Sequence, residues 1–189
     1  MAQSLAGKKF AILATDGFEQ AELQEPLKAL RQEGATAEVV APHGGEIQGM
    51  QHREKGDKQK VDRMLDDARA DDYDGLVLPG GVANPDQLRT IEKAVAFTRH
   101  FFDAQKPIAV ICHGPWTLVE AGVVKGLKMT SWPSLMTDLR NAGAQWVDQE
   151  VVTDRGVVSS RKPADLPAFC KKMVEEFREG RHTKRQAAE

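Results

Sequence analysis

At 189 residues, with 41% hydrophobic and 29% charged residues, the chain is long enough for one soluble domain with a sizeable core. A formal net charge of -2 removes the electrostatic case for a nucleic-acid partner, and no apolar run is long enough to span a membrane. Two cysteines, Cys112 and Cys170, make no disulfide framework, and the polar start from Met1 to Lys9 does not read as a signal peptide, so a reducing cytoplasm is expected.

Lys9 to Ala14 reads as a first strand around Phe10-Ala11-Ile12-Leu13, followed by a turn at Asp16-Gly17. Leu23, Leu27 and Leu30 recur at helical spacing, and Gly34 is placed to end that helix. Pro26 lacks the N–H that would bond the Glu22 carbonyl, which predicts a loose or kinked first turn. Ala37 to Ala41 reads as a second strand. His43 to Lys60, rich in Gly, Lys and His, reads as a surface excursion, hairpin-like rather than a separate domain. His43 and His52 do not have a metal-ligand spacing and read as surface histidines, so no metal is expected. Val61 to Ala68 is expected to be a short helix. Gly75 to Leu78 is the next strand, ending in Pro79-Gly80-Gly81. After it, Asn84 reads as an N-cap, Pro85 as the first helical residue and Gln87 as the return arm of a capping box. Leu88, Ile91, Val95 and Phe102 mark the stripe of one long helix.

Ile108 to Ile111 is a buried-strand run that meets Cys112-His113-Gly114-Pro115. Proline can start a helix there, so Cys112 stands on a sharp strand-to-helix turn, the geometry of a nucleophile elbow. The helix N-terminus is expected to hold the thiol below the ordinary cysteine range. Further on, Lys128 to Ser131 reads as a strand and Ser134 to Asn141 as a helix. Short strands follow at Gln145 to Val147, Glu150 to Thr153 and Gly156 to Ser160. Leu166, Phe169, Cys170, Met173, Val174 and Phe177 form the apolar face of a last helix, with Cys170 expected in the core and a frayed tail from Gly180 to Glu189. The alternation of strand and helix predicts a mostly parallel sheet covered on both sides, with the ligand site outside the carboxyl ends of the strands. Glu22, Gly80-Gly81 and Cys112 can share that edge. There is no dinucleotide fingerprint and no P-loop, so no cofactor is expected.

Cys112-His113-Gly114-Pro115 after an apolar strand resembles the ThiJ/PfpI superfamily, within it the intracellular protease I and general stress protein branch. Asp16-Gly17-Phe18-Glu19-Gln20-Ala21-Glu22-Leu23 and Leu78-Pro79-Gly80-Gly81-Val82-Ala83-Asn84-Pro85-Asp86 carry the same resemblance. It implies one domain over 1–189, with a core from about 9 to 177. The fold would be a flavodoxin-like, class I glutamine amidotransferase-like three-layer sandwich, in a homodimer or higher homo-oligomer. It further implies that Cys112 is the nucleophile, that Glu22 hydrogen-bonds it, and that His113 is catalytic with an acidic partner from a neighbouring subunit. Asp86 matches that acid, where the archaeal protease has a glutamate one methylene longer. A carboxylate in a first helical turn is also favourable without any catalytic role.

Adjacent side chains usually diverge at a turn, so His113 can also serve only through its backbone N–H. Glu22 in a sheltered site would hold its proton and donate it to sulfur. The N–H groups of Gly80, Gly81 and His113 could form an oxyanion hole. Trp116 and Trp132 could wall the pocket or pack in the core. Three functional classes share these residues. One is a glyoxalase or protein deglycase in which Cys112 attacks reactive dicarbonyls or their adducts. The second is a peptidase using Cys112, His113 and a partner's Asp86. The third is a redox sensor or chaperone signalling through Cys112 oxidation.

Overall fold

The computed structural model describes residues 4–182. Phe10 to Leu13 are fully buried in β1 (Lys9–Leu13). The two-residue β2 (Phe18–Glu19) runs straight into α1 (Gln20–Gln32), which buries Leu23, Leu27 and Leu30. The helix continues through Pro26 as one element, so the missing hydrogen bond at Glu22 does not divide it. β3 (Thr36–Ala41) follows. The stretch read as a surface excursion is an antiparallel hairpin of β4 (Glu46–Gln51) and β5 (Glu54–Lys60). Through β4 it pairs with β2 in a separate three-stranded sheet.

The helix expected over 61–68 is instead β6 (Arg63–Met64) and a 3-10 turn at Leu65–Asp67. Arg63 and Met64 pair with Val40 and Ala41, so a strand partner overrides the local apolar spacing. β7 (Gly75–Leu78) leads to α2 (Ala83–Leu88) and α3 (Glu92–Asp103), two helices where one was expected. Ile91 is extended, and the Thr90 hydroxyl donates to the Gln87 carbonyl at 2.7 Å, closing the first helix. β8 (Ile108–Ile111), with all four residues buried, precedes α4 (Pro115–Glu120). β9 (Lys128–Met129) stops short of Ser131 because Thr130 N–H donates to Ser159 Oγ and Trp132 N–H to the Cys112 carbonyl. α5 (Met136–Asn141), β10 (Gln145–Trp146), β11 (Val151–Asp154), β12 (Val157–Ser160) and α6 (Leu166–Glu179) complete the fold.

The main sheet has the order β11-β12-β8-β7-β1-β3-β6, and only β11 is antiparallel to its neighbour. β9 and β10 form a small parallel pair beside it. α1 and α6 pack together on one face over Phe10 and Ile12, with Phe177 of α6 stacked on Phe10, while α3 and α4 cover the other over Leu13, Leu76 and Val110. This is the flavodoxin-like three-layer sandwich that the alternating elements predict. On α6, Leu166, Phe169, Met173 and Phe177 are buried, but Cys170 is only half-buried at the stripe's edge, beside a groove it shares with Glu25 and Lys28 of α1. The expected frayed tail lies, beyond His182, outside the described residues. Among the described residues no helix is long and apolar enough to cross a membrane.

Candidate active site

Cys112 sits between the end of β8 and the start of α4 with φ 61°, a left-handed conformation that costs a non-glycine residue roughly 1–3 kcal/mol. Its backbone holds the turn from both sides: Cys112 N–H donates to the Ser160 carbonyl at 3.1 Å, and its own carbonyl accepts from Trp132 N–H at 2.9 Å. The thiol is 6% exposed. Burial pushes its pKa up, and negative charge on Glu22 pushes the same way; the N–H groups of Gly81 and His113, which bond the sulfur, pull it down. The expectation of a thiol set low by the helix N-terminus is therefore corrected. α4 has only six residues, and desolvation outweighs the donors.

Glu22 comes from the first turn of α1 and is completely buried. Its Oε2 accepts the Gly80 N–H at 2.9 Å, while Oε1 has no nitrogen or oxygen partner and the carboxyl lies against the Cys112 thiol. Burial pushes the Glu22 pKa up to about 8, opposed by its bonds to Cys112 and Gly80. At neutral pH the carboxyl is mostly protonated, so the pair holds its protons and Glu22 can donate to sulfur. Because Glu22 takes the Gly80 N–H, that group is not free for an oxyanion hole. A Cβ on Gly80 would stand 2.5 Å from Glu22 Oε2 and 2.6 Å from the Cys112 Cβ, so glycine is required for this approach.

Asn84 is not an N-cap. It lies inside α2, fully buried, and its Oδ1 accepts Thr15 N–H at 2.8 Å while Nδ2 donates to the Pro79 and Gly80 carbonyls at 3.1 Å each. Gln87 likewise donates to the Asp16 carbonyl rather than closing a capping box. The amide at position 84 thus ties the ends of β1 and β7 together under the Gly80 turn.

His113 does not diverge from its neighbour: its Nδ1 stands 3.2 Å from Cys112 Sγ. Burial lowers the imidazole pKa, keeping the ring neutral at neutral pH and able to accept the thiol proton. Trp132 stacks on the ring at 5.9 Å, and Trp116 meets it edge-on at 5.3 Å. Only Trp132 reaches the cavity wall. Trp116 lies behind His113, its Nε1 donating to Asp138 at 2.8 Å. The cavity holds about 310 Å³ above Cys112, Glu22 and His113, with Gly81, Val82 and Pro163 on its rim. Asp86 is exposed on α2 and lines a separate hollow with Arg89 and Glu120, outside its own protomer's Cys112 cavity.

A sequence profile of the DJ-1/PfpI family matches residues 8–176. The chain belongs to the DJ-1/PfpI family. It is 45% identical over 170 residues to "Deglycase TK1284" of Thermococcus kodakarensis, covering 90% of this chain and 99% of that one. It is 41% identical to "General stress protein 18" of Bacillus subtilis over 86% of this chain and 94% of that one. The crystal structure of Drosophila melanogaster DJ-1beta superposes with a TM-score of 0.82 at 27% identity, covering 90% of each chain.

In this DJ-1/PfpI chain the structure adds cavity residues that the sequence reading passed over. Glu19, His52 and Arg53 form one wall, and they come from β2 and the tip of the β4–β5 hairpin. Glu19 stands in the motif that marks Glu22, a signal that could have been used. His52 and Arg53 sit in a polar stretch with nothing local to separate them from an ordinary surface loop.

Proposed function

We propose that this chain is a stress-response cysteine enzyme, a deglycase or glyoxalase acting on reactive dicarbonyls and their adducts through Cys112. The observation that carries the reading is the cluster of Cys112 Sγ, His113 Nδ1 at 3.2 Å and the protonated Glu22 carboxyl in one sheltered cavity. The likeness to a protein named a deglycase supports it. Cys112 Sγ adds to the carbonyl carbon, its proton passes to His113 Nδ1, and Glu22 gives its proton to the carbonyl oxygen. The product is a hemithioacetal, with His113 cationic and Glu22 anionic, so charge is conserved. With methylglyoxal attacked at its aldehyde carbon, moving the proton on that carbon to the neighbouring carbonyl carbon, and the hydroxyl proton to that carbonyl's oxygen, yields a lactoyl thioester. Water then releases lactate and the thiol.

The test is D-lactate formation from methylglyoxal, in molar excess over protein, by wild type and Cys112→Ala. Loss of methylglyoxal alone is insufficient, because any thiol traps dicarbonyls. Catalytic lactate that disappears in Cys112→Ala supports the proposal. Cleavage of a peptide panel without lactate would replace it with the peptidase reading. Absence of both, with reversible Cys112 oxidation, would leave the sensor reading.

A further inference from the structure

The β4–β5 hairpin reaches the cavity through a two-residue loop, His52-Arg53, between the paired Gln51 and Glu54. This loop is held, not loose. His52 has φ 57°, and its N–H donates to Oε2 of the buried Glu19 at 3.0 Å. The next side chain of α1, Gln20, fastens the returning strand: its Oε1 accepts Asp57 N–H at 2.7 Å and its Nε2 donates to Asp57 Oδ2 at 2.9 Å. Parallel pairing of Phe18 and Glu19 with Gly49 and Met50 sets the register of the whole arm. Arg53 is thereby placed on the cavity wall, and among the described residues its guanidinium has no ion pair and no side-chain hydrogen bond. Of the two carboxylates that line the cavity, Glu19 spends an oxygen on the loop backbone and Glu22 is mostly neutral. The cavity therefore offers one cationic fork with no internal anion bonded to it.

We infer that Arg53 is a specificity-determining residue that receives an anionic group on the substrate, favouring carbonyl compounds that carry a carboxylate, such as α-oxo acids and their adducts, over neutral dicarbonyls. A guanidinium presents paired donors that match a carboxylate. Glu19 acts as a positioning residue through the His52 N–H. The naming of a carbonyl substrate rests on the deglycase reading, but the charge preference at Cys112 does not.

The experiment compares alkylation of Cys112 by iodoacetate and by iodoacetamide, which differ in the carboxylate. In each, the Sγ–C bond forms and the C–I bond breaks, releasing iodide. The ratio of the two rate constants, read by mass spectrometry of the Cys112 peptide at low ionic strength, is expected to fall about three- to fivefold in Arg53→Ala, the scale of one exposed ion pair. Arg53→Lys should restore part of it, and added salt should lower the wild-type ratio. Glu19→Ala should lower the ratio as Arg53→Ala does, and Glu19→Gln, which keeps an acceptor for the His52 N–H, should restore it. A ratio that is unchanged in Arg53→Ala would overturn the inference. Since alkylation needs no turnover, a wild type that makes no lactate but keeps the Arg53-dependent ratio overturns the deglycase reading alone. Lactate production with an Arg53-independent ratio overturns this inference alone.

Discussion

Glu22 holds a proton that it would lose in the unfolded chain at neutral pH. Its carboxyl titrates near 4.5 when exposed and near 8 when buried here. The folded state therefore binds the extra proton between those values, so this contribution is full below about pH 4.5 and is lost as pH rises through about 8. Urea unfolding of wild type should show stability falling across that window by an amount on the order of a few kcal/mol. Glu22→Gln, which cannot ionise, should flatten the decline; an unchanged slope would place the titration elsewhere. The same proton bears on oxidation. Burial opposes thiolate at both cysteines, pushing Cys170 up to about 12 with help from Glu25. Of the two, Cys112 has N–H donors from Gly81 and His113 and an acid hydrogen-bonded to its sulfur. Those groups stabilise the oxidised sulfur rather than the resting thiolate, so prolonged peroxide treatment should collect Cys112 at the sulfinic stage, where protonated Glu22 can donate to a sulfinate oxygen. Glu22→Gln should keep part of that state and Glu22→Asp should weaken it. A stable sulfinate on Cys170, the more exposed thiol, and none on Cys112 would contradict the expectation.

At the scale of elements, the site is a meeting of strand ends that Asn84 holds together. Asn84→Leu keeps the side chain's branching but leaves Thr15 N–H and the Pro79 carbonyl without their buried partner, while the Gly80 carbonyl keeps only the Glu19 N–H. The cost should be about 2–4 kcal/mol, read as a lower urea midpoint at unchanged m-value. A loss under 1 kcal/mol (about the effect of an ordinary surface change) would mean that water replaces the amide. The elbow itself was legible in the sequence, because four apolar residues, a cysteine and a helix-starting proline each carry a local signal. So were the parallel sheet and the alternation of its faces. Asn84 was misread because its polarity and the proline after it fit a cap equally well, and only tertiary packing turns the amide inward. The hairpin arm was legible as a hairpin but not as a cavity wall. Its contact with Glu19 spans a register set by β2, a strand of two residues with no pattern of its own. The break between α2 and α3 rested on one threonine hydroxyl, which carries no periodic signal.

For the molecule as a whole, the cavity opens beside exposed apolar side chains, Val82 at 58% and Trp132 at 38% exposure. That surface favours a covering partner, and a second copy of this chain is the one the family resemblance implies. Sedimentation at micromolar concentration is expected to give a homodimer or a larger homo-oligomer, with Asp86 of one copy near the Cys112–His113 pair of another. A monomer would remove Asp86 from the catalytic reading, since within one protomer it faces a separate hollow. The elbow's ties reach across nearly the whole chain: Cys112 is fastened to Trp132 and Ser160, and the Gly80 turn beside it to Glu22 and, through Asn84, to Thr15. A nascent chain emerging from the ribosome therefore carries an ordinary cysteine long after Cys112 itself has been made. Until Trp132 and Ser160 arrive, Cys112 lacks both backbone ties of its turn, so a chain cut short before Ser160 holds its cysteine without the complete elbow.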